Sequence, residues 1–190
     1  MNILMLNGSP RRNGNISQML DVMRREAEQQ GHAVTLMNVA DMKVTPCTGC
    51  MACRSRRECV LPDDDAQRVV AALASSDVLV VGAPCYWGNL PGQMKVLFDR
   101  MVYGLMDDRE GVMPKPLHKG KKAVVVATST VPFPFNRLLN HTRGVVNAVK
   151  EILRYSGFKV TATMQKGGTK LHPDMTEQEI KRCRKIIGKL

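Results

Sequence analysis

Four cysteines lie close together, at positions 47, 50, 53 and 59. The spacing Cys47-x2-Cys50-x2-Cys53-x5-Cys59 is compact enough for one loop to wrap four thiolate ligands around a single [4Fe–4S] cube. A tetrahedral zinc site is chemically possible, but zinc usually takes two separated cysteine pairs. The pattern therefore favours an iron–sulfur cluster, and redox-active thiols and purely structural cysteines remain as alternatives.

Three arginines lie between the third and fourth of these cysteines. Arg54, Arg56 and Arg57 would favour the thiolate form of the neighbouring cysteines, whichever use holds. The acidic run at residues 63–65 matches the positive end of a helix dipole. It predicts the N-cap and first turn of a helix that begins directly after the cysteine segment, which is residues 43–62.

A second candidate site is the polar stretch at residues 7–17, which follows an apolar run. Gly8 and Gly14 permit a tight turn, and the start of the next helix would present free N–H groups to an anion. The side chains that could bind such an anion are Ser9, Arg11 and Ser17. The stretch is neither a Walker A loop nor a dinucleotide fingerprint. It predicts a phosphate monoester site, and an ordinary turn with a helix cap is the simpler alternative.

A third candidate site lies at residues 82–95, after another apolar run. Tyr86 and Trp87 offer a flat apolar wall, and the following backbone N–H groups could bind the polar edge of a ring. An isoalloxazine ring needs both features. The simpler alternative is that Trp87, the only tryptophan of the chain, packs in the core.

The elements that must position these stretches follow a β-then-α rhythm, which predicts a doubly wound α/β fold with a parallel sheet and helices on both faces. The predicted strands are residues 2–6, 33–38, 78–82, 123–127 and 159–164, and the predicted helices are residues 16–30, 65–75, 92–102, 142–155 and 176–187. Such sheets bind ligands beyond the carboxyl ends of their strands. Two long segments, 43–62 and 103–119, interrupt the rhythm, and segments of this length are often functional.

Two motifs resemble those of a known family. Gly8-Ser9-Pro10-Arg11, followed by Asn15 and Ser17, and Pro-x-Tyr-Trp-Gly-Asn-x-Pro-Gly-x-x-Lys from Pro84 resemble the NAD(P)H-dependent FMN reductase and iron–sulfur flavoprotein family. The resemblance implies a flavodoxin-like fold with strand order 2-1-3-4-5, one domain over residues 1–190, and bound FMN. It also implies that the hydroxyls after the fourth strand lie along the flavin.

The resemblance implies thirteen cofactor-binding residues. They are Ser9, Arg11, Asn15, Ile16, Ser17, Pro84, Tyr86, Trp87, Gly88, Asn89, Thr128, Ser129 and Thr130. Ile16 stands where the family usually has threonine, so we expect Ser17 to supply the missing hydroxyl. Cys85 stands where valine or isoleucine is frequent, and we expect a small buried side chain there. Asp99 and Arg100 are expected to form an ion pair that fastens their helix to a neighbour or to a second subunit.

The resemblance implies an FMN-dependent NAD(P)H oxidoreductase that passes electrons to a quinone, a flavin, a nitro compound or a protein. An iron–sulfur flavoprotein electron carrier with FMN and a [4Fe–4S] cluster is the alternative, and a redox-sensing binding module is a third. No catalytic acid or base is assigned, because His32, His118, His141 and His172 lie outside the three loops and are expected at the surface. A homodimer or homotetramer with FMN near its interface is expected.

Composition narrows the class of partner. The chain has 190 residues, 44% of them hydrophobic, and a formal net charge of +11. Its basic residues are scattered and its aromatic content is 4%, so nucleic-acid binding is not expected. No apolar run approaches the roughly 18 residues of a membrane span, and no secretory signal is recognised. We therefore expect a cytoplasmic protein with reduced thiols.

Overall fold

The computed structural model describes residues 1–109 and 113–190, so part of the predicted long segment 103–119 lies outside the described residues. Its strands are β1 (Asn2–Asn7), β2 (Ala33–Asn38), β3 (Val78–Pro84), β4 (Met106–Asp107), β5 (Lys115–Pro116), β6 (Lys122–Thr128) and β7 (Lys159–Lys166). A parallel five-stranded sheet has the order β2-β1-β3-β6-β7, and β4 pairs with β5 in a separate antiparallel ribbon. When only the five sheet strands are numbered, this is the predicted order 2-1-3-4-5.

Helices cover both faces of the sheet, as predicted. They are α1 (Asn15–Gln29), α2 (Cys53–Arg56), α3 (Asp65–Ser75), α4 (Gly92–Arg100), α5 (Val102–Leu105), α6 (Phe135–Leu138), α7 (Thr142–Ser156) and α8 (Glu177–Ile187), with a 3₁₀ turn at Val39–Asp41. Side chains alternate along each strand, so Ile3 and Met5 pack with α1 and α8, whereas Leu4 and Leu6 pack with α3, α4 and α7. This division gives the sheet two apolar layers and leaves its carboxyl edge for the loops.

The observed strands and helices begin and end close to the predicted residues, but one predicted helix is divided in two. The helix predicted for residues 92–102 ends at Arg100, and a separate short helix, α5, begins at Val102. Gly104 of this helix lies against α3, where a Cβ at Gly104 would lie 2.5 Å from a Val70 methyl group. The close approach is possible only without a side chain. The acidic run before α3 acts as predicted, because Asp64 caps the helix and forms a capping box with Gln67.

Candidate functional site

The loops after β1, β3 and β6 meet at the carboxyl edge of the sheet, because these strands are neighbours in it. Together they line a cavity of about 450 Å³, within the range of roughly 300–1,000 Å³ that is typical of small-molecule sites. Nine of the thirteen predicted cofactor-binding residues line it: Ser9, Arg11, Asn15, Ile16, Pro84, Tyr86, Thr128, Ser129 and Thr130. Two further lining residues, Gly14 and Cys85, were expected only to shape the turn and to pack. Five lining residues were not singled out by the sequence: Asn13, Gln18, Thr169, Pro173 and Asp174.

The loop after β1 is braced by its own hydrogen bonds. The buried Asn7 side chain accepts from the Ser9 backbone N–H at 3.0 Å and donates to Ser17 Oγ at 3.0 Å. Ser17 Oγ in turn donates to the Arg11 carbonyl at 2.8 Å. Ser17 therefore holds the shape of the loop and does not line the cavity. The backbone N–H of Gly8 ties the loop to β3 through the Gly82 carbonyl at 2.8 Å.

The start of α1 is open to an anion. Gly14 is its N-cap, and no side chain caps the first backbone N–H groups. A Cβ at Gly14 would lie 3.0 Å from the Arg11 Cβ, so the tight turn needs glycine. Arg11 is exposed at the cavity wall and has no ion pair within residues 1–109 and 113–190. Free N–H groups, a helix dipole and a guanidinium together suit a phosphate monoester.

Asn15 and Ile16 contribute to the cavity in different ways. Ile16 packs in the core with 1% of its surface exposed, so only its backbone can serve a ligand. Asn15 donates from Nδ2 to the Pro173 carbonyl at 2.8 Å, and its buried Oδ1 has no donor within the described residues. An acceptor without a donor suits a ligand hydroxyl and not a phosphate oxygen.

The segment before α8 closes one side of the cavity with Thr169, Pro173 and Asp174. Lys166 fixes it, because its buried ammonium donates to the Asp174 carbonyl at 2.6 Å and to Glu179 at 2.9 Å. No motif marked these residues in the sequence. Their role depends on a contact with Asn15 across 158 positions of the chain.

The loop after β3 makes a tight turn at residues 86–89. Backbone hydrogen bonds of 3.0 Å join Tyr86 and Asn89 in both directions, and Trp87 and Gly88 have φ angles of 54° and 74°. Positive φ at both central positions is typical of a type I′ turn. Tyr86 faces the cavity, whereas Trp87, Gly88 and Asn89 do not line it, and Trp87 is fully exposed. Trp87 thus packs neither in the core nor against the cavity.

The loop after β6 supplies three hydroxyls, of which two belong to buried residues. Thr128 and Ser129 are buried, and Ser129 Oγ donates to the Val131 carbonyl at 3.1 Å. Thr130 is exposed at the cavity wall. The Thr128 carbonyl accepts from the Cys85 N–H at 2.7 Å, which joins this loop to the loop after β3.

Three expectations about single residues need correction, those for His118, His141 and Cys85. His118 is buried, stacks on Phe158 at 4.9 Å and makes a 2.7 Å hydrogen bond with the Gly104 carbonyl, so it is not a surface residue. Burial lowers the pKa of His118. His141, from outside the three loops, has its Nδ1 3.8 Å from the Cys85 sulfur at the cavity. Cys85 is half-buried and lines the cavity.

The cysteine segment leaves its thiols accessible. Cys47 and Cys50 are exposed, and Cys53 and Cys59 are half-buried. Desolvation, followed by the charge of Cys47, raises the pKa of Cys53, whereas a backbone hydrogen bond from Ala52 lowers that of Cys50. Within residues 1–109 and 113–190, no group of three or more His, Cys, Asp or Glu side chains has metal-site geometry. The donor types suit a cluster, but the thiols are not gathered into one.

The arginines next to these thiols pair with carboxylates instead. Arg54 lies 3.0 Å from Asp108, and Arg57 lies 3.7 Å from Asp107. The pairing with Arg109, and more weakly with Arg57, lowers the pKa of Asp107 to about 2. These pairs attach the cysteine segment to the β4 strand and reduce the positive charge available to the thiolates.

A buried ion pair closes the neck of the cysteine segment, which is the point where its two ends meet at Thr45 and Asp64. Arg100 Nη1 donates to the Asp64 carboxylate at 3.0 Å and to the Thr45 carbonyl at 2.7 Å. Asp64 also accepts from the Thr45 N–H at 2.9 Å. The expected pairing of Asp99 with Arg100 does not form, because Asp99 pairs with Lys95 at 2.6 Å. Arg100 therefore fastens α4 to both ends of the segment.

Comparison with known proteins gives a family and a fold. The family model described as NADPH-dependent FMN reductase matches residues 1–162. An iron–sulfur flavoprotein of Archaeoglobus fulgidus is 39% identical over 98 residues, which are 51% of this chain and 44% of that protein. The chain thus spans about half the length of the curated iron–sulfur flavoproteins it matches.

Two further similarities extend over most of the chain. An FMN-dependent NADH:quinone oxidoreductase of Shewanella loihica is 27% identical over 183 residues, 92% of this chain and 90% of that protein. The crystal structure of an azoreductase from Bacillus anthracis str. Sterne superposes with a TM-score of 0.77 at 13% identity and covers 100% of both chains. At this identity the structural likeness establishes the fold. Within the described residues, no helix has the length and apolar character needed to cross a membrane.

Proposed function

Because the chain belongs to the NADPH-dependent FMN reductase family, we propose that it binds FMN in the cavity formed by the loops after β1, β3 and β6. We further propose that it uses this FMN as an NAD(P)H-dependent oxidoreductase. A quinone, a free flavin, a nitro compound or a protein is the electron acceptor. The observation that carries the proposal is the convergence of an uncapped helix start, an unpartnered amide acceptor and an aromatic wall on one cavity.

The residues at the cavity fit the parts of FMN. The N–H groups at the start of α1 and the Arg11 guanidinium bind the phosphate dianion. Asn15 Oδ1 accepts a hydrogen bond from a ribityl hydroxyl, which removes the cost of a buried acceptor without a donor. Pro84 and Tyr86 would provide the apolar wall for the ring, and the Thr130 hydroxyl is available at the same cavity wall.

Bound FMN supplies hydride acceptance from a nicotinamide and onward electron transfer. The protein orients the ring and leaves part of it open, since Tyr86 is 43% exposed at the cavity mouth. No side-chain acid or base is required for hydride transfer, so none is assigned.

The test is an equilibrium titration of the full chain with FMN, followed by NADH and NADPH oxidation with a quinone acceptor. We expect saturable binding of one FMN per chain, with quenched flavin fluorescence, and acceptor-dependent oxidation of at least one nicotinamide. A chain that is folded but takes up no FMN would refute the proposal. A chain that binds FMN without turnover would limit it to a carrier.

The four cysteines favour a second candidate, an electron carrier with FMN and a [4Fe–4S] cluster. Cys47, Cys50, Cys53 and Cys59 would hold the cluster, and similar proteins are named iron–sulfur flavoproteins. Anaerobic purification followed by iron and sulfide assays tests it. We expect about four irons per chain and loss of iron in Cys50→Ser. An iron-free chain under anaerobic purification contradicts this candidate and leaves the reductase.

Apolar surface next to the cavity favours a homodimer or homotetramer. Trp87 is fully exposed at the tip of its turn. Four more large apolar residues in and next to α6 are exposed: Phe133, Phe135, Leu138 and Leu139. The turn and the start of α7 touch at Gly88 and Gly144. Exposed apolar surface of this kind marks protein contacts. We expect a dimer or tetramer by light scattering, and Trp87→Ser is expected to weaken it; a strictly monomeric chain would refute the assembly.

A further inference from the structure

The loop after β3 carries a thiol that the proposed redox reaction does not use. Cys85 is half-buried and lines the cavity, between Pro84 and Tyr86. Its sulfur lies 3.8 Å from His141 Nδ1. In the tautomer that carries its proton on Nε2, His141 accepts the thiol hydrogen. A cysteine and a histidine base at this separation form a nucleophilic pair when the distance shortens on ligand binding.

The turn at residues 86–89 adds a second feature around this sulfur. Backbone hydrogen bonds from Gly88 and Asn89 stabilise the Cys85 thiolate, although burial is the larger effect and raises the pKa of Cys85. The thiol is therefore protonated in the resting protein, so its reaction needs a base, and His141 is the base within reach. Glycine at position 144 keeps α7 close enough to hold this arrangement, since a Cβ there would lie 1.9 Å from the Gly88 carbonyl oxygen.

These observations select the class of reagent. Conjugate addition can proceed from the thiol when a neighbouring base removes the proton as the bond forms. A planar electrophile would also lie against the apolar wall of Pro84 and Tyr86 in the cavity.

We propose that Cys85, with His141 as its base, is a covalent site for quinones and other α,β-unsaturated carbonyl compounds that enter the cavity of the cofactor-free chain. His141 Nδ1 takes the thiol proton, and the sulfur forms a bond to the carbon β to the carbonyl. The C=C π pair moves towards the carbonyl oxygen, and the imidazolium returns the proton to the resulting enolate. With a quinone, the ring proton at the sulfur-bearing carbon then moves to the second carbonyl oxygen and a thioether-substituted hydroquinone results, so the addition needs no external oxidant or reductant.

The addition would have a consequence for cofactor loading. The proposed FMN ring and the electrophile occupy the same wall of the cavity, so bound FMN protects Cys85 and an adduct at Cys85 blocks FMN. The proposal needs the cavity and the thiol but no redox turnover. Its failure can therefore be distinguished from failure of the proposed oxidoreductase activity.

The test uses N-ethylmaleimide and 1,4-benzoquinone as probes on the full chain, with and without saturating FMN. Trypsin releases residues 69–95 as one peptide, and Cys85 is its only cysteine, so adduct formation there is separated from reaction at the exposed thiols. FMN binding is measured in parallel by fluorescence quenching. The variants are His141→Gln and, as a matched control far from the cavity, His32→Gln.

We expect an adduct on the 69–95 peptide that forms at least about tenfold more slowly in His141→Gln, and at the wild-type rate in His32→Gln. Saturating FMN should suppress it. Equal thermal unfolding midpoints of the two variants would exclude misfolding as the cause of a slow rate. An unlabelled Cys85 in a chain whose Cys47 and Cys50 are labelled would overturn the proposal, as would equal rates in wild type and His141→Gln. If the chain binds FMN but Cys85 does not react, this inference is refuted and the proposed oxidoreductase activity is unaffected.

Discussion

The loop after β1 and the cysteine segment both carry candidate cofactor ligands, but the fold supports them differently. Asn7, Ser9 and Ser17 brace the first loop from within, and its glycine N–H bonds directly to β3. The cysteine segment is closed at its neck by Asp64 and Arg100, while its thiols are exposed or half-buried. The cavity is thus preorganised for its ligand, whereas a metal or an oxidant would have to draw the thiols together.

Breaking the neck should have the largest effect. In Asp64→Ala the Arg100 guanidinium, whose side chain is 1% exposed, loses its counter-charge, and we expect a loss of about 3–5 kcal/mol in the free energy of unfolding. Urea unfolding measures it. The control is Asp99→Ala, which breaks an exposed pair with Lys95 and should cost less than about 1 kcal/mol. Equal losses in the two variants would mean that the neck pair is not structural.

A methyl group at the contact between the turn and α7 should disturb the cavity. Gly144→Ala would place its Cβ 1.9 Å from the Gly88 carbonyl oxygen, and overpacking of this kind costs about 1–3 kcal/mol or more. We expect lower stability together with weaker FMN binding, because the turn that carries Tyr86 must move. Gly92→Ala, which has no atoms within 4 Å of the added Cβ, should leave both unchanged within about 1 kcal/mol. A Gly144→Ala protein with wild-type stability and FMN affinity would contradict the prediction, because the turn would then accommodate the added Cβ without cost.

Removing the phosphate ligand should affect affinity and not stability. Arg11→Ala loses charge-assisted hydrogen bonds worth about 1.5–3 kcal/mol, so we expect the Kd for FMN to rise by about tenfold or more. Arg12→Ala is the matched control, because Arg12 pairs with Asp41 at 3.2 Å and does not line the cavity. Fluorescence titration compares the two. An affinity change of less than about threefold in Arg11→Ala would place the phosphate elsewhere.

The smallest expected effect is a pH dependence of the folding stability that arises from His118, near the cysteine segment. His118 bonds to the Gly104 carbonyl in α5, the helix against which α2 packs. Its pKa is lowered in the folded state, so the unfolded chain binds more protons as the pH falls below about 6.5. Stability present above that pH is therefore lost as the pH falls through the folded pKa. Urea midpoints from pH 5 to 8 should show a weaker slope in His118→Gln, while FMN affinity keeps the wild-type profile. Parallel slopes would contradict the assignment.

Much of the fold could be predicted from local sequence. The strand at residues 33–38 and the helix at residues 65–75 have the predicted limits, because apolar periodicity and the Asp64 cap are local signals. The helix predicted for residues 92–102 is split, since its end depends on the contact of Gly104 with Val70. A contact between segments 34 positions apart has no periodic signature.

The candidate site divides in the same way. The amino-acid sequence by itself determined the loop at residues 7–17, the alternation of strands and helices and the clustering of the four cysteines, because these depend on neighbouring residues. The strand order was expected only from the resemblance of two motifs to a known family. Only the tertiary structure decided that Ser17 braces the loop, that Trp87 lies in solvent, that Pro173 lines the cavity and that His141 lies beside Cys85. These facts depend on which distant segments pack together. Packing is set by the burial of whole helices and strands, and no short motif records it.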